Sequence, residues 1–406
     1  VSGATLVVRN IGELATCDAM RGDAPGVIRN AAVAAQGSTI TYVGSSDGLR
    51  DVPVAPGAVE LDARGMAAIP GFVDAHTHIV WLGDRSEEYA QRAAGVSYEE
   101  IAARGGGIMA TVRATASGSL EALTAAARER AARMLRLGTT TVEVKSGYGL
   151  EHDAEMRQLE AARSLDDDPE LPSIITTYLP LHAAPPSMPR AEFVASVCDE
   201  GLRRAAPLAR FVDAFCDHGA YSVEECEQVF LAAREAGLGL KLHAEQRSHS
   251  GGAALAARMQ AVSADHLDHA SDDDLRALAA AGTVGVILPG ASLVLGGPPP
   301  PGRRLLDAGA ALAIASDCNP GTCFSESMPL MVSLAVALAG LTPAEALQGA
   351  TSGGAAALAL HDRGVLREGM RCDLCILSSP RWLDVAYHVG DHPVSTVVRA
   401  GVIASS

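Results

Sequence analysis

The chain has no run of about 18 uncharged apolar residues, the length a helix needs to cross a bilayer. It is also short of positive charge. Over 406 residues, 32 Lys and Arg face 48 Asp and Glu, a formal net charge of -16. That balance argues against nucleic acid or an anionic membrane as partner. An anionic ligand would need cations of its own inside the site. A disulfide framework is missing too: eight cysteines are scattered from Cys17 to Cys375, a usage that suits a reducing cytoplasm. Cys372-x-x-Cys375 falls in an apparent strand, Arg371 to Leu377, where positions three apart face opposite sides. It reads as two small buried residues rather than a redox pair. The first residues, Val1-Ser-Gly-Ala-Thr-Leu-Val-Val-Arg9, alternate like a strand and lack the apolar core of a signal peptide. A start at Val is expected of a chain whose leading residues are missing or removed. No internal repeat is present. What remains is a soluble, globular composition, 48% hydrophobic and 20% charged, long enough for one large domain and a smaller one.

From residue 70 to about 320, short apolar strands alternate with helical patterns, the signature of a parallel sheet with crossover helices. Eight strands are expected: Gly71–Ile79, Thr139–Lys145, Ser173–His182, Arg210–Asp217, Leu238–His243, Ala261–His266, Thr283–Leu288 and Ala311–Asp317. Helices such as Ser119–Leu137, Asp153–Leu165, Ser222–Ala236 and Ser271–Ala281 lie between them. Two of these begin at a capping Ser and end at Gly237 or Gly282. Eight such units match an α/β fold of the (β/α)8 TIM-barrel type. Gly296-Gly-Pro-Pro-Pro-Pro-Gly302 is a loop within it, because the barrel pattern continues beyond. Residues 1–66 and 364–406 share a β-rich character, with runs such as Thr5–Arg9, Ile40–Val43, Cys372–Leu377 and Thr396–Ala400. They are expected to form one small β-sandwich-like domain from both termini, around a barrel spanning 67–363.

Polar residues fall at the carboxyl ends of those strands, where barrels of this type keep their chemistry. Ala67-Ala-Ile-Pro-Gly-Phe-Val-Asp-Ala-His76-Thr-His78 ends strand one in two histidines that share a face. His243 ends strand five, His266 strand six and Asp317 strand eight. Imidazoles and a carboxylate converging in this way hold a divalent ion and leave room for water. A strand-end histidine taken alone is as well explained by structural hydrogen bonding; the joint placement is what points to metal chemistry. Arg85, just past strand one, is open between a fork for a carboxylate and a surface ion pair with Asp84, Glu87 or Glu88. Tyr148 and His182, at or past the ends of strands two and three, either face the same cavity or pack behind it. Gly321, after Pro320, serves either a close backbone approach or a simple turn. Gly105-Gly-Gly107 lacks the Lys-Ser/Thr of a phosphate loop and reads as a loop bordering the site or as a hinge. Asp213 and Asp217 read as supports by hydrogen bonding rather than as ligands.

The constellation resembles the amidohydrolase superfamily. Two-metal members carry a bridging lysine at the end of strand four. Here that strand reads Phe211-Val-Asp-Ala-Phe-Cys-Asp217, and Lys145 and Lys241 lie on other strands, so one metal is expected. Further segments narrow the resemblance: Gly83-Asp-Arg-Ser-Glu-Glu88, Glu143-Val-Lys-Ser-Gly-Tyr-Gly-Leu150, Thr177-Tyr-Leu-Pro-Leu-His-Ala183, Asp317-Cys-Asn-Pro-Gly-Thr322 and Tyr387-His-Val-Gly-Asp-His-Pro-Val-Ser-Thr-Val397. In this order, over about residues 65 to 401, they closely resemble the imidazolonepropionase family.

That resemblance implies opening of the lactam ring of 4-imidazolone-5-propanoate by water, giving N-formimidoyl-L-glutamate in histidine degradation. It implies one zinc or iron ion per subunit, and a cytoplasmic homodimer acting on a small anionic imidazolone. It places the metal ligands on His76, His78, His243 and Asp317, and a second catalytic histidine on His266. Its substrate contacts fall on Arg85, Tyr148, His182, Gln246, Asn319, Gly321 and Thr322. Two departures matter. The third position after the strand-five histidine is Glu or Gln in the family and here is Gln246, whose amide carries no proton, so acid-base work falls on Asp317 and His266. Glu245 is a weaker candidate for it. Pro180 stands where the family commonly has Gly and is expected to shift His182 slightly. The rival reading is a nucleobase-type deaminase, against which the missing glutamate at 246 weighs; a non-catalytic scaffold would have lost its ligands.

Overall fold

The structure, a computed structural model, describes residues 3–166 and 168–405; Val1 and Ser2, the start of the alternating N-terminal run, lie outside them. Strands in chain order are β1 (Ala4–Ala15), β2 (Val27–Gln36), β3 (Thr39–Ser45), β4 (Val54–Asp62), β5 (Ala68–Pro70), β6 (Phe72–Asp74), β7 (Thr139–Lys145) and β8 (Ser173–Leu181). They continue as β9 (Phe211–Cys216), β10 (Gly239–Ala244), β11 (Ser263–His266), β12 (Val284–Ile287), β13 (Leu312–Ile314), β14 (Leu374–Leu377), β15 (Val394–Arg399) and β16 (Val402–Ser405).

β6 to β13 form the expected parallel barrel, neighbours in chain order being neighbours in space. Capped helices separate them as the sequence indicates. Ser119 caps Leu120–Arg136. Ser222 and Ser271 make reciprocal capping boxes with Glu225 and Asp274, and Gly282 ends the second of these helices with a left-handed φ of 72°.

Both edge strands of the barrel are shorter than the sequence pattern suggests, for one reason. β6 stops its ladder at Asp74 and β13 at Ile314, and the chain beyond them closes the barrel without a regular ladder. Asp317 N donates to His76 O at 3.0 Å and His78 N to Cys318 O at 3.0 Å. Asp74, on β6, accepts from Ser316 N at 3.0 Å and from Ser316 Oγ at 2.5 Å. The φ of 51° at Asp317 cannot continue a strand. The β8–β9 register breaks between Tyr178 and Leu181, where Pro180 has no N–H to give.

The chain's two ends meet in the second sheet, ordered β16-β15-β14-β5-β1-β2-β3 with β4 alongside β1. It surrounds its own apolar core, including Leu6, Ile11, Val33, Leu374 and Val398. The chain passes from this sheet into the barrel at Gly71, between β5 and β6. Cys372 packs in the sheet's core and Cys375 in the barrel's, on opposite sides as their spacing requires, and both are free thiols.

The barrel's seam is braced from outside by the turn Gly349–Gly353 and the residues after it. A Cβ at Gly353 would lie 2.1 Å from Leu312 O on β13, and one at Gly354 2.1 Å from Val73 O on β6. Only glycine allows backbone this close to both edge strands. Gly354→Ala is expected to lower the unfolding free energy by about 1–3 kcal/mol through overpacking. Gly297→Ala, whose nearest neighbour is 3.9 Å away, should change it little. Urea denaturation of the two variants beside the parent measures the difference.

Candidate metal centre

The closing seam brings the expected ligands together. His76 and His78 follow β6, His243 lies in β10, His266 ends β11 and Asp317 follows β13, and all five are buried. Their ligating atoms fall into two overlapping groups, His76-His78-His243 and His76-His266-Asp317, each within 4.8 Å. Asp317 Oδ1 lies 3.6 Å from His76 Nε2 and 3.5 Å from His78 Nε2. His243 stands beside His76 with ring centroids 4.4 Å apart, and beside His266 at 5.3 Å. His266 and Asp317 hold left-handed φ values of 80° and 51°, a backbone strain that concentrates at functional sites.

One carboxylate sets the His76 ring by a hydrogen bond, and a second stands close behind His243. Asp265 Oδ2 accepts from His76 Nδ1 at 2.6 Å, which turns His76 Nε2 and its lone pair inward. Asp213 Oδ2 lies 2.9 Å from His243 Nδ1 and Asp213 Oδ1 accepts from the His243 backbone N–H at 3.2 Å. Among the described residues, His76 Nε2 is fully buried with no hydrogen-bond partner. An acceptor stranded in a dry interior is costly, and a cation among the His and Asp donors satisfies it. Burial also holds His76 and His78 far below the ordinary histidine range, with Lys145 and His243 adding to the effect. Both rings are therefore neutral, the form that binds metal. The donor set thus fits a divalent ion.

A cavity of about 580 Å³ opens above this cluster, within the usual range for a small-molecule site. Every residue expected to touch substrate lines it: Arg85, Tyr148, His182, Gln246, Asn319, Gly321 and Thr322, with His266 and Asp317 at its floor. Arg85 gives Nε to Glu88 Oε2 at 2.9 Å. Of the pairings open in the sequence, the ion pair with Glu88 forms, through Nε, and Arg85 lines the cavity. Glu88 also accepts from Gly107 N at 3.1 Å, so the Gly-rich loop is tied to the arginine. A Cβ at Gly321 would come 2.5 Å from Arg85 Nη1; glycine is needed there for the approach of the guanidinium. Asn319 builds the turn, its Oδ1 accepting from Gly321 N and Thr322 N, both at 2.8 Å. Thr322 Oγ1 donates to Asp317 Oδ2 at 3.3 Å. His182 Nδ1 donates to Gly147 O at 2.9 Å, and its ring stacks on His78 at 5.2 Å. Tyr148 lies 5.9 Å from His78 between centroids, and burial raises its hydroxyl so that it stays a donor. Burial, partly offset by Asp317, lowers His266 to about 3, so it presents a neutral N–H.

Glu245 has other work: its carboxylate accepts from Ser250 N at 2.5 Å and Ala253 N at 3.1 Å, fixing the start of the helix Gly252–Arg258. Asp217 likewise shapes a loop, accepting from Arg247 N at 2.8 Å and Ser248 Oγ at 2.6 Å. Asp265 was given no role by its sequence. The available signal was its place one residue before a strand-end histidine, across from His243 in register. Phe215 and Arg92 also line the cavity, with no sequence signal beyond nearness to strand ends.

A parallel barrel with a His-x-His pair, two further histidines and an aspartate at one mouth defines a metal-dependent hydrolase. Residues 67–404 match the model of the Amidohydrolase family. The chain is 44% identical to the imidazolonepropionase of Rubrobacter xylanophilus over 396 residues, 97% of this chain and 92% of that one. It is 49% identical to that of Deinococcus deserti over 342 residues, 84% of each. In fold it is similar to a zinc-bound adenosine deaminase from Xanthomonas campestris, with a TM-score of 0.77 at 20% identity over 99% of this chain and 93% of that one. The 5-methylcytosine deaminase of Klebsiella pneumoniae superposes with a TM-score of 0.74 at 18% identity, over 98% and 97% of the two chains. The chain belongs to the amidohydrolase family and, within it, to the imidazolonepropionases.

His243→Ala should purify with far less bound metal than the parent, its affinity falling by more than the roughly 10- to 100-fold that losing an outer partner of a ligand costs. Elemental analysis after dialysis against a weak chelator reads the loss directly.

Proposed function

We propose that the protein hydrolyses the lactam C–N bond of 4-imidazolone-5-propanoate to N-formimidoyl-L-glutamate, with His76, His78, His243 and Asp317 as ligands to one zinc or iron ion per subunit. The observation that carries this reading is the pairing, in one cavity, of a His/Asp cluster with a half-buried guanidinium. The first suits hydrolysis of a cyclic amide, the second a propanoate tail. Three nitrogens and a carboxylate oxygen suit zinc and iron alike. The division into a terminal β-domain, 1–66 with 364–406, and a barrel, 67–363, a cytoplasmic location and a homodimeric state belong to the same proposal.

A divalent ion bound there supplies Lewis acidity, bringing the pKa of a water toward about 7 and polarising the lactam carbonyl. Asp317 takes the proton as the water oxygen attacks the carbonyl carbon. His266, held neutral, donates its N–H toward the developing oxyanion. Asp317 then returns the proton to the ring nitrogen as the C–N bond breaks, so no further acid is required. Gln246 reads the ring's nitrogen and oxygen pattern with its amide and leaves the proton transfers to Asp317. Arg85 holds the propanoate with its outer nitrogens, while Tyr148 and His182 wall the ring. Asn319, Gly321 and Thr322 set the turn against which the chain of the substrate lies.

A continuous assay should give turnover with imidazolone propanoate and none with guanine or hydantoin, and chelation should abolish it until zinc or iron(II) is restored. Deamination of guanine, or full activity without metal, would overturn the reading. Arg85→Ala should raise KM about 10- to 100-fold, the worth of a charge-assisted pair, with kcat much less affected. An unchanged KM would remove the carboxylate-anchor role.

A further inference from the structure

Beneath the histidines lies a sealed layer of charge that the proposed reaction does not use. Lys145, at the end of β7, is fully buried. Its Nζ stands 2.7 Å from Glu143 Oε1, 2.8 Å from Asp213 Oδ2 and 3.7 Å from Asp265 Oδ2. Two of those oxygens are the ones that face the rings: Asp213 Oδ2 is 2.9 Å from His243 Nδ1 and Asp265 Oδ2 is 2.6 Å from His76 Nδ1. A second buried lysine, Lys241, makes its one close ion pair among the described residues with Asp265, at 3.6 Å, and is held by Ser263 Oγ at 2.7 Å and Ala357 O at 3.3 Å.

We propose that Lys145 is a positioning residue of the metal centre, one ammonium tying together the two carboxylates that aim His76 and His243. The proposal rests on the metal-centre reading above. A carboxylate behind a ligating imidazole fixes the ring's tautomer and direction. Two such carboxylates in a dry interior repel each other and need a shared cation to stay in place. Lys145 is the group that contacts both. Burial opposes its charge, and Asp213, Glu143 and Asp265 outweigh that opposition, so its pKa stands above the ordinary lysine value.

Lys145→Met alone leaves buried Glu143 and Asp213 without their ammonium and can fail to fold. Lys145→Met combined with Glu143→Gln removes one charge of each sign and keeps the balance of the layer. With metal affinity measured by chelator competition, the double variant should lose about 10- to 100-fold. Its cobalt-substituted form should show shifted visible bands, and kcat should fall with KM little changed. Glu143→Gln alone and Lys241→Met should stay closer to the parent on every one of these readouts. Circular dichroism and thermal unfolding establish that each variant is folded. A folded double variant with parental metal affinity and an unchanged cobalt spectrum overturns the role. So does failure of both Lys145 variants to fold with metal supplied, since Lys145 would then be a determinant of the fold itself. Parent protein that binds no metal would instead remove the functional reading.

Discussion

Taking an ion out of water costs several kcal/mol unless partners surround it, and this barrel buries five ionisable side chains in one layer. Glu143, Lys145, Asp213, Lys241 and Asp265 are all fully buried, with separations of 2.7–3.7 Å between the ammonium groups and the carboxylates. Strand geometry puts them there. Glu143 and Lys145 are two apart on β7, Lys241 and His243 two apart on β10, and Ser263 and Asp265 two apart on β11, so each pair shares a face. Across β10 and β11, Lys241 lies level with Ser263 and His243 with Asp265. The layer is therefore continuous with the metal centre above it, and the histidines stand on it.

The same economy appears at the seam. A (β/α)8 barrel must join its first and last strands, and here the joining hydrogen bonds come from the backbone of His76, His78, Asp317 and Cys318. Three of those four, His76, His78 and Asp317, also send their side chains into the centre. Left-handed backbone at His266 and Asp317 costs on the order of 1–3 kcal/mol each, and closure of the sheet over-determines it. Stability and ligand geometry are thus properties of one set of atoms.

Much of this was legible in the sequence. Short apolar runs alternating with helical patterns located the eight barrel strands, and the strand ends located His76, His78, His243, His266 and Asp317. Ser222 and Ser271 marked helix starts because their oxygens have a defined partner three residues on. An apolar run does not report depth, however. Lys145 and Asp265 occupy inward positions of buried strands, where a charged residue in a linear pattern looks the same as one facing solvent. The ladder's early end at Asp74 was hidden because extended backbone without a regular partner carries the same apolar pattern as a strand. Arg85 had three acidic neighbours within reach in sequence, and only the fold selects Glu88, through the shared contact with Gly107.

That choice bears on how an acidic protein can favour an acidic substrate. With a net charge of -16, the surface repels a carboxylate, and any exposed arginine nearby is readily neutralised by a full carboxylate fork. Glu88 takes the Nε side of Arg85, and its second duty to Gly107 holds it in that position. Gly321, having no Cβ, leaves room for the guanidinium to lie against the turn that Asn319 builds. On the proposed reaction, Arg85 keeps an unfilled edge until a propanoate arrives. A ring without such a tail leaves that edge desolvated and unpaired, a penalty larger than the gain from one added hydrogen bond. Selection for the tail and against neutral rings of the same size then follows from the position of one carboxylate.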